Sequence, residues 1–249
     1  MSSAVGRVIR RQFEGTRFEP LVEGMRRSRW PRVWRVGEKD HQAIHTLLPA
    51  LVRSRSCCID VGANRGEMLA EFVRLAPLGS HVAFEPLPEL AEALKQRHPS
   101  VRIEQAAVSD RPGRATFHRC TTDDALSGLQ ATHDGDEVAF DVSIVTLDEA
   151  LADLSRGELI KIEVEGAELG VMRGAAQTLQ THRPQVIFEF QRERAPAYNT
   201  TPCDIWDELV RRHSYELLRV DGSGSLSLDQ FQHAFDVGDC YNFLARPID

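Results

Sequence analysis

The chain has 249 residues, of which 42% are hydrophobic, 27% charged and 7% aromatic, with a formal net charge of −7. That balance supports a core of ordinary size and excludes a collagenous, disordered or disulfide-scaffold protein. The acidic excess argues against nucleic acid as a partner, and no run approaches the ~18 apolar residues of a membrane span.

Residues 1–37 read as a basic N-terminal arm and residues 38–249 as one domain. The first 35 residues hold nine arginines (Arg7, Arg10, Arg11, Arg17, Arg26, Arg27, Arg29, Arg32, Arg35) against Glu14, Glu19 and Glu23, a net +6 that leaves −13 for the rest. Trp30 and Trp34 sit among them. Such an arm suits packing or oligomer formation. It also suits contact with an anionic membrane surface, an acidic substrate or the protein's own acidic body. No apolar stretch follows the early arginines, so it does not read as a signal peptide. Cys57, Cys58, Cys120, Cys203 and Cys240 are odd in number and contain no C-x-x-C, which points to reduced thiols and a cytoplasmic protein.

Residues 38–55 carry Ile44, Leu47, Leu48 and Leu51 at helical spacing, with Pro49 as a break. Cys57–Val61 is a short apolar run, a buried strand in which the two cysteines are core fillers. A helix at 66–76, a strand at His81–Glu85, a helix at 88–97 and a strand at Val101–Val108 follow. Arg114–Cys120 and Val142–Leu147 alternate like a hairpin. The acidic loop Thr121–Glu137 between them has no period and is long enough to be a lid. Then come a strand at Leu159–Val164, a helix at Ala167–Leu179, a strand at Gln185–Phe190 and a helix at Asp204–His213. Two closing strands, Tyr215–Val220 and Cys240–Ala245, are joined through a turn at Asp221–Gly224. This alternation predicts an α/β, doubly wound, largely parallel sheet, with ligands at the carboxyl ends of its strands.

Three strand ends carry binding chemistry. Asp60-Val61-Gly62-Ala63-Asn64-Arg65-Gly66 is a glycine turn led by an acid rather than a G-x-G-x-x-G. Asp60 would repel a pyrophosphate and suits a ligand bearing an ammonium group, such as S-adenosylmethionine, whose carboxylate can meet N–H groups at the helix start. Glu85 follows Gly66 by 19 residues, the distance of an acid that accepts two ribose hydroxyls. Ala107 and Ser109, within Ala106–Asp110, are small enough to leave room for an adenine.

Taken with Thr146-Leu147-Asp148, Ile160–Glu168 and a proline-led strand ending in Phe188-Glu189, these motifs resemble the FkbM family of S-adenosylmethionine-dependent methyltransferases from about Cys58 to about Phe190. The resemblance implies a class I methyltransferase fold: a Rossmann-like sheet of seven strands with the last antiparallel, residues 214–245 supplying the final two. It places Asp60, Gly62, Asn64 and Gly66 on the cofactor loop and makes Glu85 the ribose acid. It implies methylation mostly of hydroxyl oxygens on sugars or natural products, with some members acting on peptides.

Lys161, Glu163 and Glu165 fall on one face of a strand that persists that far, and Glu189 ends the next strand. Glu163 and Glu165 are candidates for a general base or for ligands of a divalent metal such as Mg²⁺, and mutual repulsion with burial would raise the pKa of one of them. In the resembling family the position of Glu163 is more often aspartate. Lys161 neutralises the acids or orients substrate. Glu168 reads as a charge at a helix N-terminus, and Asp148 as a helix N-cap. His118 and His133 are alternative bases. His41 and His45, four apart with no H-E-x-x-H, read as an ordinary helix face. The leading expectation is therefore an O-methyltransferase. An N-methyltransferase, a non-catalytic adenosyl-ligand module and, less favoured by the missing fingerprint, an NAD-dependent dehydrogenase are the alternatives.

Overall fold

The computed structural model describes residues 31–121, 124–131 and 137–248, and only the backbone of residues 31–34 and of Ala125. Residues 1–30 of the arm and His133 therefore lie outside the described residues. No helix among the described residues is long and apolar enough to cross a membrane.

The strands are β1 (Cys58–Val61), β2 (Val82–Phe84), β3 (Arg102–Glu104), β4 (Ala107–Val108), β5 (Gly113–Cys120), β6 (Glu137–Val145), β7 (Leu159–Ile162), β8 (Gln185–Glu189), β9 (Tyr215–Arg219) and β10 (Asn242–Pro247). Seven form one sheet in the order β3-β2-β1-β7-β8-β10-β9. The first five run parallel, and β10 is antiparallel to both β8 and β9. The chain leaves β1 outward through β2 and β3, then returns to the other side of β1 as β7. The switch point, where a crevice opens at the strand ends, is therefore between β1 and β7.

The helices are α1 (Pro31–Leu51), α2 (Glu67–Leu75), α3 (Pro88–Arg97), α4 (Leu147–Ala150), α5 (Glu168–Arg173), α6 (Ala176–Thr181), α7 (Pro202–Trp206) and α8 (Leu228–Val237). Strand alternation sorts the core into two layers. Cys58, Leu159, Ile187 and Leu244 pack with Ile44 and Leu48 of α1 and Met68 and Phe72 of α2. Ile59, Val61, Ile160, Ile162, Val186, Phe188 and Phe243 pack on the other face with Leu169, Leu179, Ile205, Leu209 and Phe231. Removing a fully buried ring such as Phe72 costs about 3–5 kcal/mol. Counting by twos, Asp60, Lys161 and Glu189 stand on the α1 side.

Several boundaries move. α1 spans the expected arm boundary, and Pro49 sits inside its last turns without ending it. The run 101–108 splits: β3 edges the main sheet, while β4 pairs with β6 in a separate three-stranded sheet. β5 and β6 form the expected hairpin. The helix expected over 167–179 breaks between α5 and α6 at Gly174, which lies so close to Ser109 that a Cβ would come 2.1 Å from the Ser109 carbonyl oxygen. Thr146 rather than Asp148 caps α4. Asp148 instead accepts the N–H groups of Gln177 and Thr178 at the start of α6. The helix from Pro202 continues as a π-helix over Asp207–Arg212. α8, absent from the sequence reading, fills the connection before β10 behind a Ser227–Gln230 capping box.

Candidate active site

The loop after β1 folds back on the neighbouring strand. Gly62 and Ala63 donate their N–H groups to the Phe84 carbonyl, each at 3.0 Å. Gly62 has φ +80°, and a Cβ there would lie 1.9 Å from the Glu163 carbonyl oxygen, so the position admits only glycine. Asn64 follows with φ +48°. At the end of β2, Glu85 is buried and held at both oxygens: the Asn64 N–H donates at 2.7 Å and the Leu87 N–H at 2.8 Å. Burial outweighs these bonds and raises its pKa to about 7. Asn64 Oδ1 and both Asp60 oxygens are buried without a hydrogen-bond partner among the described residues. Ala107 is taken up in a small core under the β5–β6 hairpin, and Ser109 lies against Gly170 of α5 and Gly174 just past its end.

Across the switch point β7 ends at Ile162, earlier than expected, so Glu163 and Glu165 belong to the following turn rather than to the strand face. Glu165 adopts φ +56°, a strained value for a residue with a side chain. This turn nevertheless gathers the acids. Carboxylate oxygens of Glu163, Glu165 and Glu189 lie within 4.8 Å of one another. Parallel pairing sets Lys161 beside Asp60. Its ammonium stands 2.9 Å from Glu163 Oε2 and 3.6 Å from Asp60 Oδ1 and donates to the Gly62 carbonyl at 3.4 Å. Arg194, from the segment after β8, sets Nε 2.9 Å from Glu165 Oε2.

The acids divide by electrostatics. The ammonium of Lys161 holds Glu163 below the usual carboxylate range, although the Glu163 side chain is 43% exposed. Burial pushes Glu165, only 12% exposed, up to about 8 against the pull of Arg194. Burial and the neighbouring carboxylates carry Glu189 well above the usual range, and burial raises Asp60 as well. Burial works against the charge on Lys161, but Glu163 and Asp60 outweigh it and raise its pKa. Glu168 is buried, with a pKa raised by burial to about 7, and accepts the N–H groups of Val164 and Gly166; it fixes the turn that carries Glu165.

The arrangement thus joins Asp60, Gly62, Lys161, Glu163, Glu165 and Glu189 at one crevice, with Glu85 one strand away. It leaves His118 aside, paired with Glu137 at 3.2 Å in the hairpin. Three residues were not singled out as functional from the sequence. Arg194 pairs with Glu165, and Tyr198 packs against Gly166. His41, read as an ordinary helix residue, is close enough for its charge to help lower Glu163. Asp40 accounts for the placement of His41: its buried carboxylate accepts the N–H groups of Tyr241 and Asn242 at 2.7 and 3.0 Å. That pins α1 over the strand that pairs with Glu189. Arg194 had a readable signal, since it lies just past a strand end, whereas the approach of α1 had none.

A seven-stranded sheet with this order, one antiparallel strand and a glycine loop at the switch point is the class I methyltransferase fold. Within that class the chain belongs to the methyltransferase FkbM domain family, matching it over residues 60–217. It is 33% identical over 164 residues to the 2-O-methyltransferase NoeI of Sinorhizobium fredii, a match covering 58% of this chain and 66% of that one. It is 25% identical over 224 residues to the AMB antimetabolite synthetase AmbE of Pseudomonas aeruginosa, covering 74% of this chain and 10% of that protein. The chain therefore spans just under two thirds of one relative and a tenth of the other. The crystal structure of methyltransferase FkbM from Methylobacillus flagellatus KT superposes with a TM-score of 0.51 at 15% identity, covering 79% of this chain and 45% of that one. This likeness is one of fold.

Proposed function

We propose that the chain is an S-adenosylmethionine-dependent methyltransferase acting on a hydroxyl oxygen of a small acceptor, a sugar or a natural-product-like molecule. The observation that carries the reading is the placement of the Asp60–Gly66 loop and Glu85 on one side of the switch point and the Glu163, Glu165, Glu189 cluster on the other. The family match supports methyl transfer, and the name of NoeI supports oxygen over nitrogen.

The residues present fit the cofactor. Asp60 and Asn64 carry buried oxygens that lack hydrogen-bond partners among the described residues. Gly62 lets the loop pass directly against the Glu163 carbonyl, which ties the cofactor loop to the acid turn. Each Glu85 oxygen has accepting capacity beyond its one backbone bond, enough for ribose hydroxyls. Ala107 and Ser109 mark the strand end beside which the adenine would lie. When bound, the cofactor supplies a methyl group already activated by its sulfonium.

The chain's own work is then to align the acceptor, exclude water and take the hydroxyl proton. Alignment is worth roughly 7–11 kcal/mol. Glu165, with a pKa of about 8, is the group matched to accepting a proton near neutral pH. A positioned base contributes about 10²–10⁴-fold. Glu163, kept ionised by Lys161, accepts a hydrogen bond from the acceptor. Glu189, whose pKa burial and the neighbouring carboxylates raise well above the usual range, can donate one in its protonated form.

The test is incubation with methyl-labelled S-adenosylmethionine and a panel of hydroxylated sugars and amines. Label on a hydroxyl oxygen is expected, with its formation rising through about pH 8 as Glu165 ionises. Label on nitrogen alone would overturn the oxygen assignment.

A further inference from the structure

Lysine is an unexpected residue inside a short parallel strand, since such strands are buried on both faces and read as apolar runs. β7 is buried throughout, and Lys161 is its one charge. Its ammonium meets oxygens from three places: Glu163 Oε2 at 2.9 Å, the Gly62 carbonyl at 3.4 Å and Asp60 Oδ1 at 3.6 Å. Asp60 is fully buried; that ammonium is its ion-pair partner among the described residues, and the Leu69 backbone also favours its charge. Nearby, Arg194 holds Glu165 at 2.9 Å.

Three carboxylates with oxygens within 4.8 Å of one another are the donor type and spacing that a hard divalent ion takes. Here two of the three are already met by cations, Glu163 by Lys161 and Glu165 by Arg194. An ion bound by the same oxygens would stand close to both the ammonium and the guanidinium, whose side chains are only 10% and 13% exposed, so solvent screens the repulsion weakly.

We propose that Lys161 is the resident cation of this site: its ammonium, set between Asp60 and Glu163, takes the place of a divalent ion at the carboxylate cluster, so the native protein works without one, and removing the ammonium creates a divalent-ion site. The assignment rests on the methyltransferase reading of the cluster and deepens it, because it makes the reaction independent of Mg²⁺. It also makes Lys161 a positioning residue. The ammonium that holds Glu163 ionised also binds the Gly62 carbonyl, so one side chain sets the spacing between the cofactor loop and the acceptor side.

The experiment uses the full chain, stripped with EDTA, as wild type, Lys161→Met and Lys161→Gln, titrated with Mn²⁺ and followed by the electron paramagnetic resonance signal of the free ion. S-adenosylhomocysteine affinity is measured on the same samples by calorimetry. The wild type is expected to leave the Mn²⁺ signal unchanged, with the same S-adenosylhomocysteine affinity with and without EDTA. Each lysine variant is expected to bind one Mn²⁺ at least tenfold more tightly than wild type, and a second change, Glu163→Gln, is expected to abolish that binding. One Mn²⁺ bound by wild type and lost in Glu163→Gln overturns the proposal. So do lysine variants that stay folded by circular dichroism and gain no Mn²⁺ binding. If both variants unfold, the wild-type titration decides. Loss of S-adenosylhomocysteine binding in the wild type would overturn the methyltransferase reading, whereas the Mn²⁺ results bear on Lys161 alone.

Discussion

Glu165 is where two opposing effects on one carboxyl can be weighed by experiment. Burial raises its pKa and Arg194 lowers it; burial wins, placing it at about 8 against a usual 4.5. Between those two values the native state holds one more proton on this group than the unfolded chain does, so stability falls as pH rises. The slope is about 1.4 kcal/mol per pH unit for one proton. From pH 6 to pH 8 wild type therefore loses about 2 kcal/mol through Glu165, and above pH 8 the loss levels off as the native carboxyl ionises. Glu165→Gln keeps the shape and the neutral form and removes the titration. Urea unfolding of both proteins at pH 6, 7, 8 and 9 reads the difference, and the other raised carboxyls largely cancel between them. The stability of Glu165→Gln relative to wild type should climb by about 2 kcal/mol between pH 6 and pH 8. A flat difference would mean that the carboxyl titrates near its usual value and would refute the argument; a climb at the full slope that continues past pH 8 would place the carboxyl higher still.

Other residues make sharper, simpler predictions. Glu85→Gln replaces one carboxylate oxygen, each of which now accepts an N–H, with an amide NH₂. It should weaken S-adenosylhomocysteine binding about 10–100-fold by calorimetry, roughly 1.5–3 kcal/mol for a lost charge-assisted hydrogen bond. Gly62→Ala sets a methyl 1.9 Å from the Glu163 carbonyl oxygen at φ +80°, and should lose cofactor binding and lower the thermal midpoint together. Asp40→Ala leaves the Tyr241 and Asn242 N–H groups without their acceptor and should cost about 2–4 kcal/mol in urea unfolding, with α1 the first segment to exchange its amides.

Much of the fold can be read from local pattern. β1, β2 and α3 emerge within a residue or two of expectation, because short apolar runs and a Pro88 start leave little alternative. The division of 101–108 between two sheets could not be read, since β4 takes its partner from β6, some 35 residues later, and nothing within the run marks the break. The close approach of Ser109 at Gly174, where the helix breaks, is likewise a tertiary contact. α8 is different: Ser227, Gln230 and the spacing of Leu228, Phe231 and Ala234 were all in view, so the missed helix was legible. In the site, acids at strand ends announce themselves by position, which is why Glu163, Glu165 and Glu189 could be grouped before the fold was known. Their division into one low and two raised carboxyls depends on Lys161, Arg194 and burial, and so on the three-dimensional arrangement. The approach of His41 follows from long-range contacts of α1, the Asp40 grip on Tyr241 and Asn242 about 200 residues away and the packing of Ile44 and Leu48 on the sheet.

The most direct test of the account is calorimetric titration of the full wild-type chain with S-adenosylhomocysteine and, separately, NAD. The account predicts saturable one-to-one binding of S-adenosylhomocysteine, weakened in Glu85→Gln, and no binding of NAD. Binding of NAD instead, or no binding of S-adenosylhomocysteine by folded protein, would contradict it.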